Sequence, residues 1–252
     1  MNILVKFRLH TALSPRLLFA SPASLLSQCR VMSLLNASVC PAITAYVTLK
    51  KDKSKFVEDM NPFVYSHSIK DTSPSSISIG DECTVKDHQG NVIGRGVYNP
   101  ESLYRIRMLA LTSEPIFNNC EPLSLSISDL ILHRLQQAKD LRSIIGLPRT
   151  DTTVYRLVNG EGDRLSGLVI DVFNDESNVV QSSAAWTEKY KACIETNLKI
   201  VYSNKHMNIV WLPMLSRLEQ EGWPIDQHSD ISGNGNHDEN SSSIRVLENE
   251  IS

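Results

Sequence analysis

Apolar and polar positions alternate in short runs through the first half of the chain, and a helical period takes over after residue 124. From Ile43 to Lys50 alternate positions are β-branched or aromatic, which predicts a strand running into Lys50, Lys51, Lys53 and Lys55. Gly80-Asp81 opens a second strand, Glu82–Lys86; Asp87-His88-Gln89-Gly90-Asn91 turns the chain and Val92–Tyr98 returns, a hairpin pattern. In Leu103–Leu111 the residues Tyr104, Ile106 and Met108 fall on one face and Arg105 and Arg107 on the other, predicting one core face and one cationic face. Ser124–Ile145 carries apolar residues at helical spacing, with Ser126 and Asp129 placed as a capping box and Gly146-Leu147-Pro148 as the stop. Its charges at His133, Arg134, Lys139 and Arg142 read as a solvated outer face. Residues 154–212 then predict strands at Tyr155–Val158, Gly167–Phe173 and Asn178–Ser182, a helix at Thr187–Leu198 and a last strand at Ile209–Leu212.

A chain of 252 residues can hold one good core or two small ones. The order of elements predicts a mixed α/β (α+β) chain in six parts. These are a tail or transit peptide at 1–41, a β-rich domain at 42–115, a connecting helix at 116–150, a strand-strand-strand-helix-strand domain at 151–225, a flexible loop at 226–242 and a resumed strand at 243–252. The loop assignment follows from the Asp, Ser, Asn and Gly richness of 226–242.

The net charge of −3 is unevenly spread: residues 1–60 hold eight Lys or Arg against three Asp or Glu, 61–150 hold nine of each, and 151–252 hold eight against sixteen. Any basic surface is therefore local. Met1 to Lys51 lacks Asp and Glu, carries Lys6, Arg8, Arg16 and Arg30, and repeats serine, the composition of an organelle transit peptide with a lean towards the plastid over the mitochondrion. Cys29, Cys40, Cys83, Cys120 and Cys193 are odd in number and far apart, which argues against a disulfide framework or a zinc knuckle. No window approaches the roughly 18 to 20 uninterrupted apolar residues that cross a bilayer, so no membrane partner is expected.

Arg95, Arg105 and Arg107, and Lys51 in the basic run after the first strand, are candidates for phosphate contact, because guanidinium forks match phosphate oxygens and strand positions two apart share a face. A solvated strand face that discourages edge pairing is the competing reading of the same arginines. Gly94-Arg95-Gly96 lies within a strand and lacks the third glycine of a nucleotide loop, so these glycines predict a bulge or a close backbone approach. Glu161, Asp163, Asp171 and Asp175 admit an acid-base or metal-binding reading, but carboxylates in Gly-rich turns more often bond the turn's own amides.

The segments Asn61-Pro62-Phe63-Val64-Tyr65-Ser66, Ile79-Gly80-Asp81-Glu82-Cys83-Thr84-Val85, Gly94-Arg95-Gly96-Val97-Tyr98-Asn99-Pro100-Glu101-Ser102 and Ile106-Arg107-Met108-Leu109, in that order, resemble the PUA domain at the start of a family of ribosomal RNA large-subunit cytosine-5 methyltransferases. Tyr155–Asp163, Leu165–Phe173 and Gln181–Trp186 are similar to the central domain of the same family, except that Arg164 and Ser166 stand where members commonly have Gly and Pro. The resemblance implies a PUA-like pseudo-barrel that binds structured, ribosomal RNA, with Arg95, Arg105, Arg107 and Lys51 as its RNA-binding residues, and S-adenosylmethionine as cofactor of the full-length family. It implies that 243–252 is the start of a truncated catalytic domain and that the Rossmann-like fold, cofactor loop and nucleophilic cysteine belong to a region beyond residue 252, so that neither catalytic, cofactor nor metal residues are expected in this chain. Two functions follow from it: the RNA-recognition part of a methyltransferase that is inactive alone, or a stand-alone organellar RNA-binding module.

Overall fold

The computed structural model describes residues 45–114, 122–175 and 177–225. The proposed transit segment, the loop at 226–242 and the strand at 243–252 lie outside these residues, as do Cys29, Cys40 and Cys120.

A six-stranded sheet comes first: β1 (Tyr46–Leu49), β2 (Phe63–Val64), β3 (Ile69–Ser73), β4 (Glu82–Lys86), β5 (Val92–Tyr98) and β6 (Ile106–Leu111) lie in the order β2-β6-β5-β4-β1-β3, with helix α1 (Ser54–Glu58) between β1 and β2. All neighbours are antiparallel except β1 and β4. The hairpin β4–β5 spans the residues that alternation predicts, and the Asp87 carboxylate closes it by accepting from the amides of Gln89 and Asn91 and from Asn91 Nδ2. These bonds favour the charged form and hold that carboxyl below its ordinary pKa. Strand β2 escapes the pattern because it is two residues long, and β3 because Ile69-Lys70-Asp71-Thr72-Ser73 carries no apolar alternation.

Helix α2 (Ile127–Ile144) follows, with Ser126 as N-cap accepting from the Asp129 amide as expected. Then come β7 (Val154–Asn159), β8 (Leu168–Phe173), β9 (Ser177–Ser182), α3 (Ala185–Lys189), α4 (Lys191–Val201), β10 (Asn208–Pro213) and α5 (Leu215–Gln220). The second sheet runs β10-β9-β8-β7, with β9 and β10 parallel because the helices form a crossover between them. The single helix expected over Thr187–Leu198 is two, since Tyr190 leaves helical geometry at φ −101°, ψ 17° and serves as C-cap of one and N-cap of the next.

Apolar side chains gather in two cores. One fills the interior of the first sheet with Val47, Leu49, Val85, Ile106, Met108 and Leu111. The other joins Val97, Leu109 and Ala110, from the opposite face of β5 and β6, to Leu130, Ile131 and Leu135 of α2 and to Leu157, Leu168 and Ile170 of the second sheet.

The two cores meet on one strand because β6 is bulged: Arg95 pairs with Ala110 and Gly96 with Met108, leaving Leu109 as the extra residue. The bulge turns Leu109 and Ala110 to the same side and returns Leu111 to the interior of this curled sheet, the barrel. Gly94 and Gly96 permit it, since a Cβ on them would lie 2.5 Å from the Ala110 carbonyl oxygen and 2.4 Å from that of Arg107. This is the close approach that the Gly-x-Gly spacing predicts.

The solvated charges expected on α2 are instead engaged. Arg134 is buried and donates through Nε and Nη2 to the carbonyl of Leu109, the bulged residue, and through Nη2 to Glu114. Arg142 forks onto Asp163, and Lys139 donates to the Val201 carbonyl. Among the described residues no helix is long and apolar enough to cross a membrane.

Candidate nucleic-acid interface

Alternation places Arg105 and Arg107 on one strand face with Arg95 on the paired strand, and the structure keeps Arg95 and Arg107 on a common face but does not expose it. All six residues of β6 are buried, because α2 and the second sheet cover that side. Arg95 pairs with Glu82 at 2.6 Å and donates to the carbonyls of Leu123 and Leu125. Arg107 pairs with Glu221 at 2.5 Å and donates to Ser166 Oγ. Arg105 precedes the strand, is half-buried and donates to the Asn99 carbonyl. The exposed cationic strand face is thus corrected: a guanidinium removed from water needs a carboxylate and several acceptors, and the neighbouring layer supplies them.

Glu221 is the centre of this junction. Its carboxylate also accepts from Asn99 Nδ2, Ser102 Oγ and the Ala185 amide, and Trp186 Nε1 donates to the Ser166 carbonyl alongside. Ser166 Oγ donates its own hydrogen to Glu161. Arg164, in the place where a glycine is common in the resembled family, sits at φ 60°, a conformation glycine adopts freely. Its guanidinium is anchored on the carbonyl oxygen and sulfur of Met60.

The open basic surface lies elsewhere. Lys50, Lys51, Lys53 and Lys55 are exposed between β1 and the end of α1, and of these Lys51 is the residue that the sequence singles out. Next to them runs an aromatic row that the sequence pattern did not bring out. Phe63 packs on Tyr104 with ring centroids 4.4 Å apart, Tyr65 lies 5.6 Å from Tyr104, and Tyr65 and His67 are stacked at 5.7 Å. Phe63, Tyr65 and His67 at alternate positions beside a lysine run are the signal that could have found it. A pocket of about 260 Å³ opens here, lined by Lys53, Phe63, Tyr65, His67 and Ser68 over the buried Val57 and Val64. Lys50 Nζ fixes one wall by donating to the His67 carbonyl at 2.7 Å.

The four acidic residues of the second domain do not converge. Asp163 takes the Arg142 fork and the Asn159 amide, Asp171 pairs with Arg156, and Asp175 accepts from the Tyr155 hydroxyl. No group of three potential metal ligands occurs among the described residues. Cys83 is fully buried and Cys193 half-buried, and burial raises the pKa of both thiols.

Residues 47–111 match a protein-family model described as a PUA-like domain. The first sheet is thus similar to a PUA-like domain. Over 160 residues the chain is 29% identical to Ribosomal RNA large subunit methyltransferase I of Photobacterium profundum, covering 64% of this chain and 38% of that protein. The protein of the same name from Citrobacter koseri is 27% identical over 197 residues, covering 72% of this chain and 46% of its own length. The chain therefore spans less than half the length of these relatives. A solved structure of a proposed SAM-dependent methyltransferase from Streptococcus mutans shares the fold with a TM-score of 0.52 at 14% identity, over 68% of this chain and 41% of that one. A second, a proposed methyltransferase in complex with SAH, gives a TM-score of 0.53 at 15% identity, over 68% and 40%.

Proposed function

We propose that this chain carries the RNA-recognition portion of a SAM-dependent ribosomal RNA cytosine-5 methyltransferase. The observation that carries the reading is the exposed lysine run beside an aromatic row on a PUA-like barrel. Lysines neutralise phosphates and ring faces stack with bases, the two contacts by which proteins hold unpaired RNA. The names of the similar proteins support ribosomal RNA as the partner and SAM as the methyl donor of the complete enzyme. Lys51 contacts RNA in this reading, while Arg95 and Arg107 hold the barrel to the second sheet.

Methyl transfer is assigned to a region outside the described residues. Attack on C6 of cytosine needs an accessible thiolate close to the bound sulfonium. Cys83 is fully buried, and neither it nor the half-buried Cys193 has a lowered pKa. The acid-free, serine-rich first 51 residues support import into an organelle, with the plastid preferred, and a fluorescent-protein fusion of that segment tests it.

The deciding experiment measures binding of the chain to ribosomal RNA fragments as salt is varied, together with methyl incorporation from labelled SAM. Binding that weakens steeply with salt, without incorporation, is expected. Salt-independent binding, or incorporation by residues 45–225 alone, would overturn the assignment.

A further inference from the structure

We infer that the pocket between α1 and the β2 edge takes one unstacked nucleobase of the bound RNA, while Lys50, Lys51 and Lys55 engage the phosphates on either side. This rests on the RNA-binding reading above and names the part of the RNA that is recognised.

Three features lead to it. The volume of about 260 Å³ falls below the roughly 300–1,000 Å³ of sites that enclose drug-sized ligands, so the pocket suits a single flat ring system. Phe63, Tyr65 and His67 line it, side chains with ring faces on which a base can stack, and Lys53 and Ser68, also in the lining, carry groups of the kind that hydrogen-bond a base edge. The rim carries the lysines, with a single acid, Asp52, among Lys50 to Lys55. A base inside a duplex cannot enter, since it is stacked and its edges lie in the grooves. The recognised element is therefore a loop, bulge or strand end, the kind of RNA whose bases can be splayed onto aromatic side chains.

The test uses the full chain and RNAs carrying 2-aminopurine, either in a single-stranded loop or within a duplex. The fluorescence of the loop base should change on binding, and the loop RNA should bind more tightly than the duplex. His67→Ala and Tyr65→Leu should each weaken loop binding by roughly ten-fold and abolish the fluorescence change, with melting temperature as the control for folding. The exposed His67 keeps the test valid should Tyr65→Leu fail to fold. Lys51→Ala should weaken binding yet leave the change intact at saturation. If the wild-type chain binds RNA but prefers the duplex, or keeps its signal in His67→Ala, the base pocket is wrong and the RNA-binding reading survives. If the intact chain binds no RNA, both fall.

Discussion

Replacing Arg107 by methionine separates a structural from an RNA-binding role for this side chain. The Arg107 and Glu221 side chains are 11% and 9% exposed and 2.5 Å apart, so the substitution leaves a buried carboxylate without its counter-charge. Breaking such a pair costs roughly 3–5 kcal/mol. Glu221 would retain the Asn99, Ser102 and Ala185 donors, and methionine would keep part of the arginine's apolar stem. The lower end, about 3 kcal/mol, is therefore expected, or roughly 6–12 °C in melting temperature for a chain of this size. Thermal denaturation followed by circular dichroism reads the stability, and fluorescence anisotropy well below the melt reads RNA affinity. Adding Glu221→Gln should restore part of the stability, since the orphaned charge is removed. An unchanged melting temperature with weakened RNA binding would refute the reasoning, because it would put Arg107 in contact with RNA.

Gly96→Ala should destabilise by about 1–3 kcal/mol in urea titration, because the added Cβ meets the Arg107 carbonyl oxygen at 2.4 Å and the bulge must shift; a neutral effect would contradict the close approach. Replacing Lys51, Lys53 and Lys55 together by alanine should flatten the salt dependence of single-strand binding by about 0.7 for each phosphate that is no longer neutralised, with the melting temperature unchanged. Trp186→Phe should cost about 1–3 kcal/mol by leaving the Ser166 carbonyl without the indole donor, measured by the shift of the urea midpoint. Burial pushes the Tyr155 hydroxyl up to about 12, and that of its hydrogen-bond partner Tyr202 up as well. The native state keeps these protons while unfolded tyrosine releases them near pH 10, so their contribution is complete below about pH 10 and is lost as pH rises towards 12. Urea midpoints between about pH 8 and 11 should show the decline, and an identical profile in Tyr155→Phe would exclude Tyr155 as its source.

Local rules made the hairpin β4–β5, the Ser126 cap and the Gly-x-Gly approach readable, because each is settled by residues within a few positions of one another. The fate of the arginines was not readable. Alternation says which face Arg107 shares, but its carboxylate partner lies 114 residues away, at the end of α5. The same limit applies to Arg134, whose acceptor is the carbonyl left over by a bulge 25 residues earlier. The aromatic row failed for another reason: Phe63, Tyr65 and His67 follow the alternation, yet the regular strand ends at Val64 and their neighbour Tyr104 arrives from a distant loop.

The bulge at Leu109 has a consequence for how this chain can be taken apart. With Met108 and Leu111 serving one interior and Leu109 and Ala110 the other, the barrel is not a detachable cassette. Excised after residue 114, it would bare Val97, Leu109 and Ala110 to water and strand Arg107 without Glu221, while the remainder would lose one wall of its core. Grafting the barrel onto a foreign partner therefore demands a surface that reproduces both the apolar patch and the carboxylate, and the two halves are expected to be inherited together.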